Sequence, residues 1–151
     1  MSSDMDKVKQ CEAVIGYEFA NKAFGLEALY NFPGYRREPG ADAKKNDALA
    51  IFGEVVLLQN LCQEWYRLNL SIVEWTTIRQ EVVNNEYLAK VGNNNGLDKC
   101  IILNSGATSV SDKTMATFVK ALFGAVKLDG GDAAVAGVVR QLKLRYELLA
   151  C

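Results

Sequence analysis

The sequence predicts a single all-α domain. Apolar residues recur at helical spacing in most segments, and only two prolines occur, both inside the turn-rich stretch 31–45. Half of the 151 residues are apolar and the formal net charge is -1, which is typical of a folded chain rather than a disordered one. The length suits one domain and leaves little room for a second.

The first predicted helix covers 21–30, where apolar residues share one face and Glu27 lies outside it. The stretch 31–45 follows as the one long loop. Asn46 is the predicted N-cap of the next helix, which continues to Tyr66. Because this helix is apolar on most sides, we predict that it is central and buried.

The remaining elements follow from the same periodicity. Helical spacing over 71–91 predicts a third helix, which ends in the turn sequence Gly-Asn-Asn-Asn-Gly at 92–96. Beyond it the pattern predicts, in order, a short element at 97–103, a polar segment at 104–112, a helix at 113–128, a stop at Asp-Gly-Gly-Asp in 129–132, and a final amphipathic helix at 133–149.

The composition narrows the available chemistry. The chain has no histidine, which removes the commonest general base and the commonest zinc ligand. Any catalysis would therefore depend on carboxylates, lysine, cysteine or tyrosine. A sequence pI near 5.5 also means that the chain lacks the basic excess that is usual in nucleic-acid binders.

The cysteines and the N-terminus indicate an intracellular protein. Cys11, Cys62, Cys100 and Cys151 are roughly 40 to 50 residues apart and form no CxxC pair, which disfavours a zinc site. Reduced thiols are expected, with a disulfide framework as the alternative. The first residues do not resemble a secretory signal, and no apolar run is long enough for a membrane helix. The sequence does not distinguish nuclear, cytoplasmic and mitochondrial locations.

Several segments, in the right order, resemble the catalytic domain of the ribonuclease III family. Residues 15–19 read IGYEF where the family has LGYxF, and 46–57 read NDALAIFGEVVL where it has NERLEFLGDAVL. Residues 121–131 read ALFGAVKLDGG, similar to ALIGAIYLDGG. The other matching segments are LEAL at 26–29, YRR at 35–37, VNNEYLA at 83–89 and GLDK at 96–99. The resemblance implies a domain over 15–149, an N-terminal extension at 1–14, and no double-stranded-RNA-binding domain.

The resemblance also implies a site that has lost most of its ligands. The family hydrolyses double-stranded RNA with Mg²⁺ held by four carboxylates on two helices, and hard cations require such oxygen ligands. The family positions fall here on Ala50, Glu54, Thr117 and Lys120, of which only Glu54 is acidic. An additional family carboxylate falls, in a looser alignment, on Ile72, and Asp47 matches a peripheral acid.

We therefore expect that the chain holds no Mg²⁺ and uses no cofactor. Lys120 places an ammonium where a dication would lie, and it could pair instead with Glu54. In that arrangement an internal ion pair replaces the metal.

The family acts as a two-fold homodimer, which implies a homodimer here or a heterodimer with a related domain. The predicted interface consists of Ile51, Phe52 and Val55, with monomer core as the alternative and the favoured one for Phe52. The candidate contacts to double-stranded RNA are two basic pairs, Arg36-Arg37 and Lys44-Lys45. The alternative is that these charges are only a solvated surface.

The sequence thus predicts a catalytically inactive ribonuclease III-like protein that acts as a dimeric RNA-associated or regulatory module. One alternative is a divergent endoribonuclease that still cleaves RNA through a non-standard site. Another is a domain that has lost RNA binding and retains only the dimeric fold.

Overall fold

The computed structural model describes residues 3–104, 107 and 109–144, and within them the chain is helical, without an extended strand. The predicted all-α class is confirmed. The helices are α1 (Asp4–Ile15), α2 (Lys22–Leu29), α3 (Asp47–Arg67), α4 (Ile72–Val82), α5 (Asn85–Asn94) and α6 (Asp112–Gln141), with a 3₁₀ turn at Leu97–Lys99.

The first half of α6 forms the centre of the core. Every residue from Ala121 to Val126 is buried, and the large side chains of Phe118 and Phe123 are fully enclosed. Helices α2, α3 and α5 pack against α6. Small residues such as Ala121 and Gly124 let the neighbouring helices approach closely, because the distance between two helices depends on the side chains at their contact.

Glycines on both helices allow α3 and α6 to cross with their backbones nearly touching. A Cβ atom on Gly53 would overlap the carbonyl oxygen of Lys120, and a Cβ on Gly124 would lie 2.6 Å from the carbonyl oxygen of Leu49. No side chain larger than hydrogen fits at Gly53 without separating the helices. This crossing fixes the position of the following turn of α3, including Glu54, beside Lys120 of α6.

Two of the observed helices differ from those that the sequence predicts. Helix α3 is not buried on all sides as predicted, because Leu57 and Leu61 face the core whereas Ile51 and Val55 are exposed. The predicted helix 71–91 is two helices, since the side chain of Asn84 accepts hydrogen bonds from the amides of Glu86 and Tyr87 and begins α5. Local capping outweighs the continuous apolar period.

Two capping predictions also need correction. Asn46 occupies the N-cap position of α3, but its buried side chain makes no cap and donates instead to the carbonyl of Ala28, at 2.9 Å. It therefore ties the end of α2 to the start of α3. The predicted turn at 92–96 begins too early, because α5 continues to Asn94 and Gly96 supplies the left-handed residue after it.

The two ends of the described chain both join the core. Segment 1–14, predicted as an extension, contains most of α1, whose Val8 and Cys11 are fully buried.

The predicted stop at 129–132 appears as a break inside α6, where Gly131 has a φ of 78° and a ψ of -168°. The helix then continues to Gln141, and 145–149 of the predicted final helix lie outside the described residues.

Asp129, just before this break, holds the N-terminal part of the chain. Its carboxylate accepts hydrogen bonds from the Tyr17 hydroxyl at 2.5 Å, from the Ala20 amide at 2.8 Å and from the Asn21 amide at 2.9 Å. Burial raises the pKa of Asp129, but the hydrogen bonds outweigh burial and leave this pKa below its usual value. Asp129, on α6, therefore holds in place the segment that leads into α2.

We expect Gly53→Ala to destabilise the fold by about 3 kcal/mol or more, because the added methyl group forces α3 away from α6. Urea unfolding followed by circular dichroism measures this change. Gly137→Ala is the matched control, since a Cβ there lies 3.9 Å from its nearest neighbour, on a flexible arginine. The control substitution should be neutral or stabilising by about 0.5 to 1 kcal/mol. Equal stabilities for the two variants would contradict the close crossing.

Candidate functional site

The candidate site lies where α3, α5 and α6 meet around the side chain of Lys120. The Lys120 Nζ lies 2.9 Å from Glu54 Oε1 and 3.0 Å from Asn85 Oδ1, so the ammonium donates to one acceptor from α3 and one from α5. The Lys120 side chain is only 16% exposed, whereas the Glu54 side chain is 41% exposed. The predicted Glu54–Lys120 ion pair is therefore present.

The other two mapped positions contribute no acidic ligand. Ala50, one turn before Glu54, is buried in the core. The Thr117 hydroxyl donates to the carbonyl of Lys113 at 2.8 Å, which satisfies it within α6. Glu54 is thus the one carboxylate at the four mapped positions, and its charge is already balanced by a lysine of the same chain.

The residues present do not fit a divalent metal ion. Mg²⁺ binds through several converging oxygen ligands, and the mapped positions supply one carboxylate and one ammonium. In the part of the chain that the structure describes, no group of three or more Asp, Glu, Cys or His side chains could hold a metal.

Asp47 lies at the edge of the region and does not complete a ligand set. It occupies the first turn of α3, where a negative charge suits the helix dipole. The Lys45 Nζ lies 3.9 Å from its carboxylate. Asp47 and Glu54 are seven residues apart on α3, about 10.5 Å along the helix axis, so they cannot share one ion.

An exposed apolar surface lies on the same helix, next to Glu54. Ile51 is 73% exposed, Val55 60% and Phe52 38%, and we call these three residues the α3 apolar surface. Ile51 and Val55 are four residues apart and therefore adjacent on one helix face. Neither of these two residues belongs to the monomer core, and the favoured core assignment of Phe52 is also wrong.

The long loop brings the two basic pairs together. Tyr35 and Lys44 form an antiparallel bridge, with N–O distances of 3.0 and 2.6 Å, so the residues next to them lie on adjacent segments. The Arg37 guanidinium donates two hydrogen bonds to the Glu27 carboxylate, with N–O distances of 2.8 and 3.2 Å. The Arg36 guanidinium donates to the carbonyl of Ala41 within the loop.

Sequence reasoning misses two residues that shape this region. Nothing in the sequence pattern indicates that Asn85, at the start of α5, contacts Lys120. Glu27 is expected on the solvent side of its helix, yet it is buried and pairs with Arg37. A carboxylate on a short apolar helix followed by a basic pair is the signal that could have indicated this second ion pair, because a buried charge requires a partner.

A known family matches the helices that form this site. The family model described as "Ribonuclease III domain" matches residues 47–131, from the start of α3 to the break in α6. Ribonuclease 3 of Symbiobacterium thermophilum is 33% identical to this chain over 138 residues and covers 87% of it. Ribonuclease 3 of Syntrophobacter fumaroxidans is 25% identical over 152 residues and covers 94%.

Solved structures show the same fold. The nuclease domain of ribonuclease III from Campylobacter jejuni aligns with a TM-score of 0.72 and 20% identity, covering 92% of this chain and 96% of that one. A second structure of that nuclease domain aligns with a TM-score of 0.66. The helices described above therefore have the architecture of a ribonuclease III nuclease domain.

The chain belongs to the ribonuclease III domain family. It spans 62% of the length of the Syntrophobacter protein and 58% of the Symbiobacterium protein. None of the helices in the described part of the chain has the length and apolar character that a bilayer crossing requires.

We expect the Glu54–Lys120 pair to contribute about 1 kcal/mol to stability, since Glu54 is partly solvated and exposed pairs contribute little. A double-mutant cycle with Glu54→Gln and Lys120→Met measures the coupling by urea unfolding. The matched cycle pairs Glu54→Gln with Lys113→Met, an exposed lysine at the start of α6, and should give no coupling. A coupling at Lys120 no larger than that at Lys113 would contradict the pair.

Proposed function

We propose that this chain is a nuclease-inactive ribonuclease III-like domain that forms a homodimer and binds double-stranded RNA. The observation that carries the proposal is the Glu54–Lys120 ion pair, which lies where the family resemblance implies Mg²⁺ ligands. The domain would then retain the packing and the surface of the family without its chemistry.

Electrostatics support the loss of metal-dependent cleavage. An ammonium and a metal ion about 4 Å apart repel each other by about 4 kcal/mol per pair of unit charges at an effective dielectric near 20. Glu54, the acid that could attract the metal, already accepts a hydrogen bond from that ammonium. Lys120 cannot withdraw without also losing its bond to Asn85.

The α3 apolar surface supports self-association. Exposed apolar side chains clustered on one helix face are typical of protein contact sites, whereas single exposed ones are not. A two-fold axis would place the same surface of each copy against the other, as in most homodimers. The Campylobacter jejuni nuclease domain, which has the same fold, has a region involved in dimer formation.

The basic loop supports contact with RNA phosphates. Of the four candidate residues, Arg37 is paired with the buried carboxylate of Glu27. Arg36 bonds only to a loop carbonyl, and Lys45 lies 3.9 Å from the exposed carboxylate of Asp47, so Arg36, Lys44 and Lys45 are the expected contacts. All three are exposed on adjacent segments of the loop. Three phosphate contacts would make binding weaken steeply with salt, by about 40-fold for a fourfold rise in salt concentration.

We expect the purified chain to bind a long RNA duplex and leave it intact in Mg²⁺ or Mn²⁺. Electrophoresis of one labelled duplex measures both properties: binding appears as a mobility shift, and an intact duplex gives no fragments. A bacterial ribonuclease III run in parallel shows that the duplex can be cleaved. Glu54→Ala distinguishes the alternatives, because cleavage that this substitution abolishes would favour the divergent endoribonuclease.

The binding contacts have a matched control. The triple variant Arg36→Gln, Lys44→Gln, Lys45→Gln should weaken the mobility shift and reduce its salt dependence. Removing the same charge through Lys9→Gln, Lys90→Gln and Lys143→Gln, all exposed elsewhere, should have a smaller effect. Equal losses in the two triple variants would mean that net charge alone attracts RNA. The absence of a mobility shift with the parent chain would favour the alternative of a dimeric fold that does not bind RNA.

We expect the chain to have the mass of a dimer in solution, and Ile51→Glu to convert it to a monomer, because the substitution buries a charge at the two-fold contact. Light scattering coupled to gel filtration measures both masses. Ile72→Glu is the matched control, because Ile72 is as exposed as Ile51 but begins a different helix. A monomeric parent chain, or a dimer that Ile51→Glu leaves intact, contradicts this interface.

A further inference from the structure

Two surface cavities adjoin each other along α5. The first, of about 450 Å³, lies between the end of α4 and the start of α5, and the second, of about 400 Å³, lies between α5 and the residues that follow α6. Tyr87 and Lys90 line both cavities, so the two form one groove, which we call the α5 groove. None of its lining residues belongs to the Glu54–Lys120 pair or to the α3 apolar surface.

The charged side chains of the α5 groove are separated by sign. Glu81 and Glu86 line only the first cavity, whereas Lys143 lines only the second and Lys90 lines both. All four residues are exposed, and none of them has an ion-pair partner among the residues that the structure describes. The groove therefore has an acidic end and a basic end, and the charges at both ends are available to a ligand.

Amide side chains provide neutral hydrogen-bonding groups along the groove. Gln80 and Asn84 line the first cavity, and Asn94 lines the second. The Asn84 Oδ1 accepts a hydrogen bond from the Glu86 amide at 2.8 Å, which holds this side chain at the start of α5 and leaves its Nδ2 to donate elsewhere. Because an amide group both donates and accepts, these side chains can pair with the N–H and C=O groups of a peptide backbone.

The basic end of the groove has a strained backbone. Lys143 has a φ of 56°, in the left-handed region, at the position after a helix end where glycine or asparagine is usual. Asn95 joins this end to α5, because its Nδ2 donates to the carbonyls of Val91 at 2.8 Å and of Leu142 at 3.2 Å. Strain of this kind is concentrated at functional sites, which indicates a binding role for Lys143.

We propose that the α5 groove binds an extended peptide segment of a partner protein, with a basic side chain at Glu81 and Glu86 and an acidic side chain at Lys143. Charge complementarity carries this assignment. The carboxylates of the acidic end would repel the phosphates of a nucleic acid, and a ligand with charges of one sign would be repelled at one end of the groove. The groove is therefore a site separate from the proposed RNA contacts.

The length of the groove determines the spacing of the two charges in the peptide. From Glu86 to Asn94, α5 rises by about 12 Å. An extended chain covers this distance in about four residues, at roughly 3.3 Å per residue. The basic and acidic side chains of the bound segment should therefore be about four residues apart.

The probe is a heptapeptide of glycine and serine with arginine at its second position and glutamate at its sixth. Two companion peptides carry glutamine in place of the arginine or in place of the glutamate. Titration of the isotope-labelled full chain, followed by NMR, measures each affinity and locates the contact from the amides that shift. We expect shifts within 80–95 and at 142–143, and each companion peptide should bind about tenfold more weakly, because hydrogen bonds between charged groups are the strong ones.

Protein variants assign each charge of the peptide to one end of the groove. The double variant Glu81→Gln, Glu86→Gln should bind the probe about tenfold more weakly and should bind the peptide without arginine as the parent chain does. Lys143→Gln should behave in the same way toward the probe and the peptide without glutamate.

The matched controls remove the same charges from exposed positions elsewhere, through Glu38→Gln with Asp42→Asn and through Lys9→Gln. They should leave the affinity for the probe within about twofold of the parent value, because distant surface charges are screened.

Equal affinities for the three peptides, or equal losses in the groove variants and in the controls, would overturn the proposal. Shifts of the groove amides that depend on the concentration of the peptide-free chain would also overturn it, because a second copy would then occupy the groove. A single-stranded RNA that shifts these amides when the probe does not would overturn it in favour of a nucleic-acid ligand.

Discussion

The close crossing of α3 and α6 positions the side chains of the candidate site and of the α3 apolar surface. It is possible because Gly53 and Gly124 present no side chains where the two backbones meet. Helices that approach this closely have little freedom to slide or rotate, since close-packed interiors do not deform continuously. The turn of α3 after Gly53 is therefore held against α6, with Glu54 beside Lys120 and with Ile51 and Val55 on the solvent side.

The side chains at the four mapped positions are accommodated within the chain itself. Carboxylates gathered around a metal would repel one another without it. Here Ala50 packs in the core, Thr117 bonds within its own helix, and Lys120 supplies a positive charge to Glu54 from inside the chain. The ammonium also reaches Asn85 and so connects the third helix of the site. Glu54, Thr117 and Lys120 each therefore have a partner within the chain.

Much of the fold follows from the sequence, because apolar periodicity locates most helices and the order of the motifs indicates the family. The helical period does not show the break at Asn84, because a side-chain cap acts on a single residue. Nor does it show the exposed face of α3, because apolar residues have the same pattern whether they pack inside a monomer or remain exposed. The contact of Lys120 with Glu54 could be predicted from the mapped positions. Its bond to Asn85 could not, since that bond depends on how α5 and α6 meet.

Calorimetric titration with magnesium shows whether this site holds Mg²⁺. The parent chain should give no binding heat. The variant Ala50→Glu, Glu54→Asp, Thr117→Asp, Lys120→Glu, which restores the four mapped carboxylates, should bind the ion and melt at a higher temperature in its presence. Magnesium binding by the parent chain that Glu54→Gln abolishes would contradict the account.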